Sequence, residues 1–212
     1  MTRLLLVPVA LFIVVASGCG GSGRQAAPPT TSAPVTTSAL PAGGTSTSAG
    51  SGTGALQAEA NAAAAGDIPD NQVFLVFRNA SAGYSMKYPE GWAQQGAGDR
   101  VVFRDKNNIA RIVVGQGTAP TKAAVQAEVS SLSGAQVQGA PQPITLAGAP
   151  AFKVVYSTVS APNAVTGKRV KLVVDRYYLW RAGRRAVVDL GTPEGVDNVD
   201  AYRLMIESFR WR

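Results

Sequence analysis

Between Phe12 and Phe74 the chain contains no aromatic residue, and that gap decides where it can fold. A segment without large apolar side chains cannot bury enough surface to offset the entropy of ordering its backbone. The 46% hydrophobic content of the 212 residues is a poor guide as an average, because every aromatic except Phe12 lies in the last two thirds. Folding is expected to begin near Asp67. That leaves about 145 residues, close to the commonest size of a single domain.

The segment before the gap has a pattern of its own. Met1-Thr2-Arg3 is a short positive start, and Leu4 to Val15 is an apolar run interrupted only by Pro8. A membrane-spanning helix needs about 20 apolar residues, so this run is too short to span and fits the apolar core of a signal peptide over residues 1–18. Ala16-Ser17-Gly18-Cys19 follows. It resembles a bacterial lipobox, with Ala16 where leucine is commoner. The resemblance implies that Cys19 carries a diacylglyceryl thioether, palmitate being a typical chain, and becomes the new N-terminus after cleavage. Small side chains let a peptidase approach the backbone, and two or more acyl chains anchor stably where one is marginal. The alternative is an ordinary signal peptide cut near Gly18, leaving a free thiol. On the lipobox reading the chain sits at a bacterial cell membrane, lipid-anchored on the extracytoplasmic face, at the cell surface or in the periplasm.

From Gly20 to Gly66 the chain is built mostly from Gly, Ser, Thr, Ala and Pro, with only Arg24 and Glu59 charged. Residues 19–66 thus read as a lipidated cysteine followed by a disordered tether, stiffened at Pro28-Pro29, Pro34 and Pro41. A coil of about 47 residues reaches roughly 40 Å on average. Ala55 to Ala65 is alanine-rich and is at best a transient helix without tertiary packing. Thr30-Thr31-Ser32 and Thr36-Thr37-Ser38 lie beside prolines and are candidate sugar acceptors, although plain spacer is the better account of the composition.

Residue counts narrow the chemistry. Cys19 is the sole cysteine, so neither an intrachain disulfide nor a thiolate metal cage can form. With no histidine, imidazole-based acid/base catalysis and histidine metal sites are excluded. No metal or cofactor is expected. The net charge of +7 suits anionic headgroups or acidic wall polymers, and export argues against nucleic acid.

In the foldable part, Gln72 to Phe77 and Tyr84 to Tyr88 read as strands, the second ended by Tyr88-Pro89-Glu90-Gly91, good type I turn chemistry. Trp92 is expected to pack back over that turn. Val101 to Phe103 and Ile109 to Val114 are two more strands, joined across Lys106-Asn107-Asn108. Thr121 caps a helix reaching about Leu132, with Ala124, Val125, Glu128, Val129 and Leu132 as its stripe. Ile144 to Leu146 and Ala151 to Val159 pair around Gly148. Lys168 to Trp180 and Arg185 to Leu190 form a long hairpin. Thr192-Pro193 is expected to open a last helix ending near Glu207, with Phe209 to Arg212 as a closing strand. Strands in series with two helices indicate an α+β fold, an antiparallel β-sheet flanked by helices.

The stretch Gly83-Tyr84-Ser85-Met86-Lys87-Tyr88-Pro89-Glu90-Gly91-Trp92, followed by that order of elements and by Ser208-Phe209-Arg210-Trp211, resembles PsbP-like domains over about Phe74 to Arg212. The resemblance implies an α/β/α sandwich for residues 67–212 and supplies no catalytic residues. Bacterial branches of that group include many surface lipoproteins of unknown role. The long tether departs from the plant members, accessory proteins of photosystem II, whose role is not transferred.

Asp175 and Asp189 are the acids that most invite an enzymatic reading. If Ala182-Gly183 is the hairpin turn, however, paired residue numbers sum to 365. Arg176 then faces Asp189 and Trp180 faces Arg185, an ordinary ion pair and cation–π contact. No Gly-x-Ser-x-Gly elbow, phosphate loop or carboxylate-rich metal loop occurs. The chain is not expected to be an enzyme. Lys168, Arg169, Lys171, Arg176, Arg181, Arg184 and Arg185 crowd this hairpin with Asp175 as their sole acidic neighbour in sequence. Odd numbering puts Arg169, Lys171, Asp175 and Arg181 on one face, with Arg184 and Arg185 at the tip. Lys168, Arg169, Lys171, Arg181, Arg184 and Arg185 are therefore candidate contacts to an anionic partner, each worth about 1 kcal/mol near a charged surface. The competing reading is that cations on an exposed strand deter edge-to-edge pairing. The expected function is a non-catalytic binding or accessory module of the cell envelope, engaging an envelope protein, anionic lipid or wall polymer. The alternative is a carrier of a small ligand, lipid or glycan, in a pocket between sheet and helix.

Overall fold

A computed structural model describes residues 56–58, 61–62, 64–163 and 167–212. The signal segment, Cys19 and the tether as far as residue 55 lie outside the described residues. Between 56 and 65 the described residues are helical. The chain then enters the fold at a fixed point. The Gly66 carbonyl accepts from the side-chain amides of Asn108 (2.5 Å) and Asn198 (3.1 Å), and the Ile68 amide donates to Asn198 Oδ1 at 2.8 Å.

Eleven strands follow among the described residues: β1 (Phe74–Asn79), β2 (Tyr84–Pro89), β3 (Ala93–Ala97), β4 (Arg100–Asp105), β5 (Asn108–Gln116), β6 (Gln136–Val137), β7 (Gln142–Leu146), β8 (Ala149–Val159), β9 (Lys171–Arg181), β10 (Arg184–Pro193) and β11 (Arg210–Trp211). Helix α1 (Lys122–Ser130) separates β5 from β6, and α2 (Val199–Glu207) precedes β11. β1, β2 and β11 form a small sheet in the order β1-β2-β11. The main sheet runs β3-β4-β5-β10-β9-β8-β6, with β7 also paired to β8. All pairings are antiparallel. The fold is α+β.

The β9–β10 register has Arg176 opposite Asp189 and Trp180 opposite Arg185, as the turn chemistry requires. Ala182 (φ 49°) and Gly183 (φ 74°) both occupy the left-handed region, the geometry of a two-residue hairpin whose twist matches its strands. Ala147-Gly148 repeats it between β7 and β8.

Because side chains alternate along a strand, the main sheet has two separate cores. On one face Val101, Phe103, Ala110, Ile112, Tyr177, Leu179, Ala186, Val188 and Leu190 pack against Tyr84 and Met86 of the small sheet and Tyr202, Met205 and Ile206 of α2. Trp92 is buried there too, behind the Pro89–Gly91 turn. On the other face Val154, Tyr156, Leu172, Val174, Tyr178 and Val187 meet Val125 and Val129 of α1. The helices thus lie on opposite faces. The first face is closed by α2 together with the small sheet.

Several boundaries differ from the sequence reading. β3, with sequence AQQGA, is wholly exposed and lacks any alternation by which to read it. Thr121 caps α1 as expected, its Oγ1 accepting from the Ala124 amide, but Ala124 is exposed and the helix stops at Ser130. Thr192 and Pro193 do not open the last helix. They end β10, paired to Val173 and Leu172, and α2 waits for Asn198, whose side chain is held among Gly66, Asn108 and Thr192. β9 begins at Lys171, so Lys168 and Arg169 lie ahead of it, outside the hairpin strand.

Candidate functional site

β10 runs between β5 and β9, and Asp189 is opposite Arg111 on one side and Arg176 on the other. All three side chains stand on the α1 face. Arg176 forks onto the carboxylate, Nε donating to Oδ1 at 2.6 Å and Nη2 to Oδ2 at 2.9 Å. Arg111 donates from Nε to Oδ2 at 2.9 Å, and also from Nη2. Arg176 and Asp189 are only 5% and 2% exposed. A carboxylate taken that far from water is tolerable only when paired and hydrogen-bonded, and here two guanidiniums hold it. Burial opposes the charge on Arg176, but the hydrogen bonds and charge of Asp189 outweigh it and hold the guanidinium above its usual pKa. Its Cζ lies 5.5 Å from the centroid of the Tyr156 ring and 6.0 Å from that of Tyr178. Burial pushes both phenols upward, that of Tyr178 to about 12. Glu128 of α1 lies 3.9 Å from Arg176 Nη1, so two carboxylates face the two guanidiniums.

Helix α1 has nine residues, about 13 Å of length, and cannot cover the whole face. Beyond its C-terminal end the sheet opens into a cleft of about 640 Å³. Ile109, Leu132, Leu172, Val174 and Tyr156 supply its apolar walls, residues 158 to 163 one rim, and Arg104 and Lys106 the other. Arg111 and Asp189 reach it from the floor. Gly191 sits beneath: a Cβ there would meet Ile109 Cγ2 at 2.8 Å and Val174 Cγ2 at 3.2 Å, so glycine lets these two walls approach across β10.

The hairpin cations are dispersed. Arg169 donates to the Ser160 carbonyl at 3.0 Å. Lys171 pairs with Glu194 at 2.6 Å. Arg184 reaches back to the carbonyls of Ala82 (3.2 Å) and Arg212 (3.1 Å) and lies 4.8 Å from the Trp211 ring. Arg185 pairs with Glu128 of α1 at 3.1 Å, which draws it over Tyr178 (5.9 Å) and away from its register partner Trp180. Trp180 packs instead against Phe152, centroids 5.9 Å apart. Lys171, Asp175 and Arg181 share a strand face, without Arg169. In space the acidic neighbours include Glu128, Asp189 and Glu194 as well as Asp175. Among the described residues Arg181 has no ion pair. Asp175 lies on the face opposite Asp189, bound to Lys153 at 2.6 Å, so the two acids never meet as a pair.

Sequence reasoning finds Arg176–Asp189 because one turn fixes both. It misses Arg104, Lys106 and Arg111, whose juxtaposition depends on β5 lying beside β10. The local signal at Arg111 is a lone cation amid the alternation of Ile109 to Val114.

No family model and no curated protein matches the chain. Among solved structures it is similar to cyanobacterial PsbP (CyanoP) from Synechocystis sp. PCC 6803, with 16% identity over 69% of this chain and 98% of that one, at a TM-score of 0.48. The Ran-binding protein Mog1p of Saccharomyces cerevisiae is similar at 9% identity, over 66% of this chain and 96% of that one, with a TM-score of 0.43.

Proposed function

We propose that this chain is a lipid-anchored extracytoplasmic module of the bacterial cell envelope, acylated at Cys19, which binds its partner non-catalytically in the cleft beside α1. The cleft carries the reading. It combines apolar walls with a few convergent polar groups, the usual composition of a ligand site, and its volume falls in the usual range for one. Arg111 is already fixed by Asp189, so a partner need not order it. The tether before residue 56 would hold the domain off the leaflet, and the apolar run before Cys19 would direct export.

One experiment reaches both halves of the reading. A photo-crosslinking residue is placed at Thr158 on the cleft rim or at Arg181 near the hairpin tip, and the protein is recovered from intact cells for mass spectrometry. An acylated Cys19 peptide and adducts from position 158 are expected. A bare thiol contradicts the anchor. Adducts from position 181 alone would move the binding surface to the hairpin.

A further inference from the structure

We infer that two copies of this chain pair reversibly through β1, edge to edge and antiparallel, about a twofold axis at Val76. The small sheet lies on the face of the main sheet opposite the cleft, so both surfaces can be occupied at once.

β1 is a free edge without the usual guards. It stands at the end of the order β1-β2-β11 and runs in unbroken register with β2, with no bulge and no proline. Exposed strand edges are normally blunted by charge, proline, bulges or shortness. The other edges fit that rule: β6 and β11 have two residues each, β7 carries Pro143, and β3 offers only small or polar side chains. β1 has one charge, Arg78, which forms no ion pair among the described residues. Large apolar side chains crowd it instead: Val73 (55%), Leu75 (39%) and Val76 (49%) are exposed within four consecutive positions. By register Leu75 faces the core beside Phe77 and Tyr88, so the core itself is open along this edge.

The backbone selects the pairing. The Val73 carbonyl accepts from the Glu90 amide, so residues 73, 75, 77 and 79 bond toward β2. Lys87, opposite Val76, sends its amide to Ser208 Oγ on the far side of β2. Phe74, Val76 and Arg78 therefore turn their N–H and C=O groups outward, and among the described residues nothing bonds them. An antiparallel copy centred on Val76 pairs all three, 74 with 78, 76 with 76 and 78 with 74. Centring on Leu75 or Phe77 pairs only two of them within β1. Charge agrees with the Val76 axis. Each Arg78 lies across from Phe74 of the other copy, a cation–π pairing, and never meets its own counterpart. Leu75 lies across from Phe77 of the other copy, which covers the open rim of the core. One strand pair of this length falls below the about 1,200 Å² of a stable complex, so the dimer is weak.

The test is sedimentation equilibrium of the full chain in neutral, density-matched detergent with micelles in large excess. Amide hydrogen exchange at low and high protein concentration accompanies it. A monomer–dimer equilibrium is expected, with the amides of Phe74, Val76 and Arg78 gaining protection as the dimer forms. Val76→Lys places like charges directly opposite across the axis and should weaken association about tenfold or more. Val76→Pro removes an amide hydrogen that the fold does not use, so it should fold normally and weaken association as well. A chain that stays monomeric at the highest concentration overturns the inference and leaves the edge to a strand from another protein. Dimers that form without protecting those three amides, or that both variants preserve, overturn it too.

Discussion

The two faces of the main sheet are made by the same strands and do opposite things. On one, strand side chains meet a second sheet and a helix, and the apolar surface is consumed in a continuous core around Tyr84, Phe103 and Met205. On the other, a nine-residue helix covers only part of the sheet. The uncovered remainder keeps a buried charge cluster next to apolar wall. Alternation along β9 and β10 thus lets one sheet carry stability on one side and a ligand cleft on the other. Charge follows the same division. Asp175 on the closed face sits in a partly exposed pair with Lys153, whereas Asp189 on the open face is held by two arginines.

The sharpest way to break this comparison is to remove one fully buried side chain from each face. Phe103→Ala removes a fully buried ring from the closed face and should cost about 4 kcal/mol, read by urea unfolding. Val129→Ala under α1 should cost on the order of 2 kcal/mol, because it empties a smaller volume. Equal losses would mean that the two cores are not as unequal as described. The acids give the second contrast. Asp189→Ala leaves Arg176 buried with only the Glu128 carboxylate, 3.9 Å away, and should cost about 3–5 kcal/mol, while Asp175→Ala should cost about 1 kcal/mol or less.

Alkali probes both faces at once. Tyr84, Tyr177 and Tyr202 on the closed side and Tyr156 and Tyr178 on the open side all have phenol pKa values raised by burial. A raised phenol stays protonated in the fold after the unfolded chain has ionised. Its contribution is fully present below pH 10 and is lost as pH rises through the folded value. Stability should therefore be flat to about pH 10 and then fall, with these five phenols ionising together with unfolding, not before it. The smallest expected effect is at the hairpin. Arg181→Glu should change stability by no more than about 0.5 kcal/mol and leave crosslinking from position 158 untouched, checked by thermal melting and by adduct yield.

How much of this is legible in sequence depends on how far apart the participants lie. The β9–β10 register follows from one turn, because Ala182-Gly183 fixes every pairing beyond it. The Thr121 cap is read from its own residue type. β3 escapes because AQQGA has neither alternation nor β-branching. The end of β10 is misread because Thr-Pro also suits a helix start, and only Asn198, satisfied across the fold by Gly66 and Asn108, delays the helix. The cleft escapes for the strongest reason. Arg111 and Asp189 are 78 residues apart, and nothing local says that their strands are neighbours. The hairpin cations mislead in the same way, since Glu128 and Glu194, which bind two of them, arrive from outside the hairpin.

The account turns on the open face receiving the partner. Its most direct measurement is photo-crosslinking in intact cells from position 158 on the cleft rim and from position 181 at the hairpin. Adducts from position 158 are the predicted result. Adducts from position 181 alone, or from neither position, would contradict it.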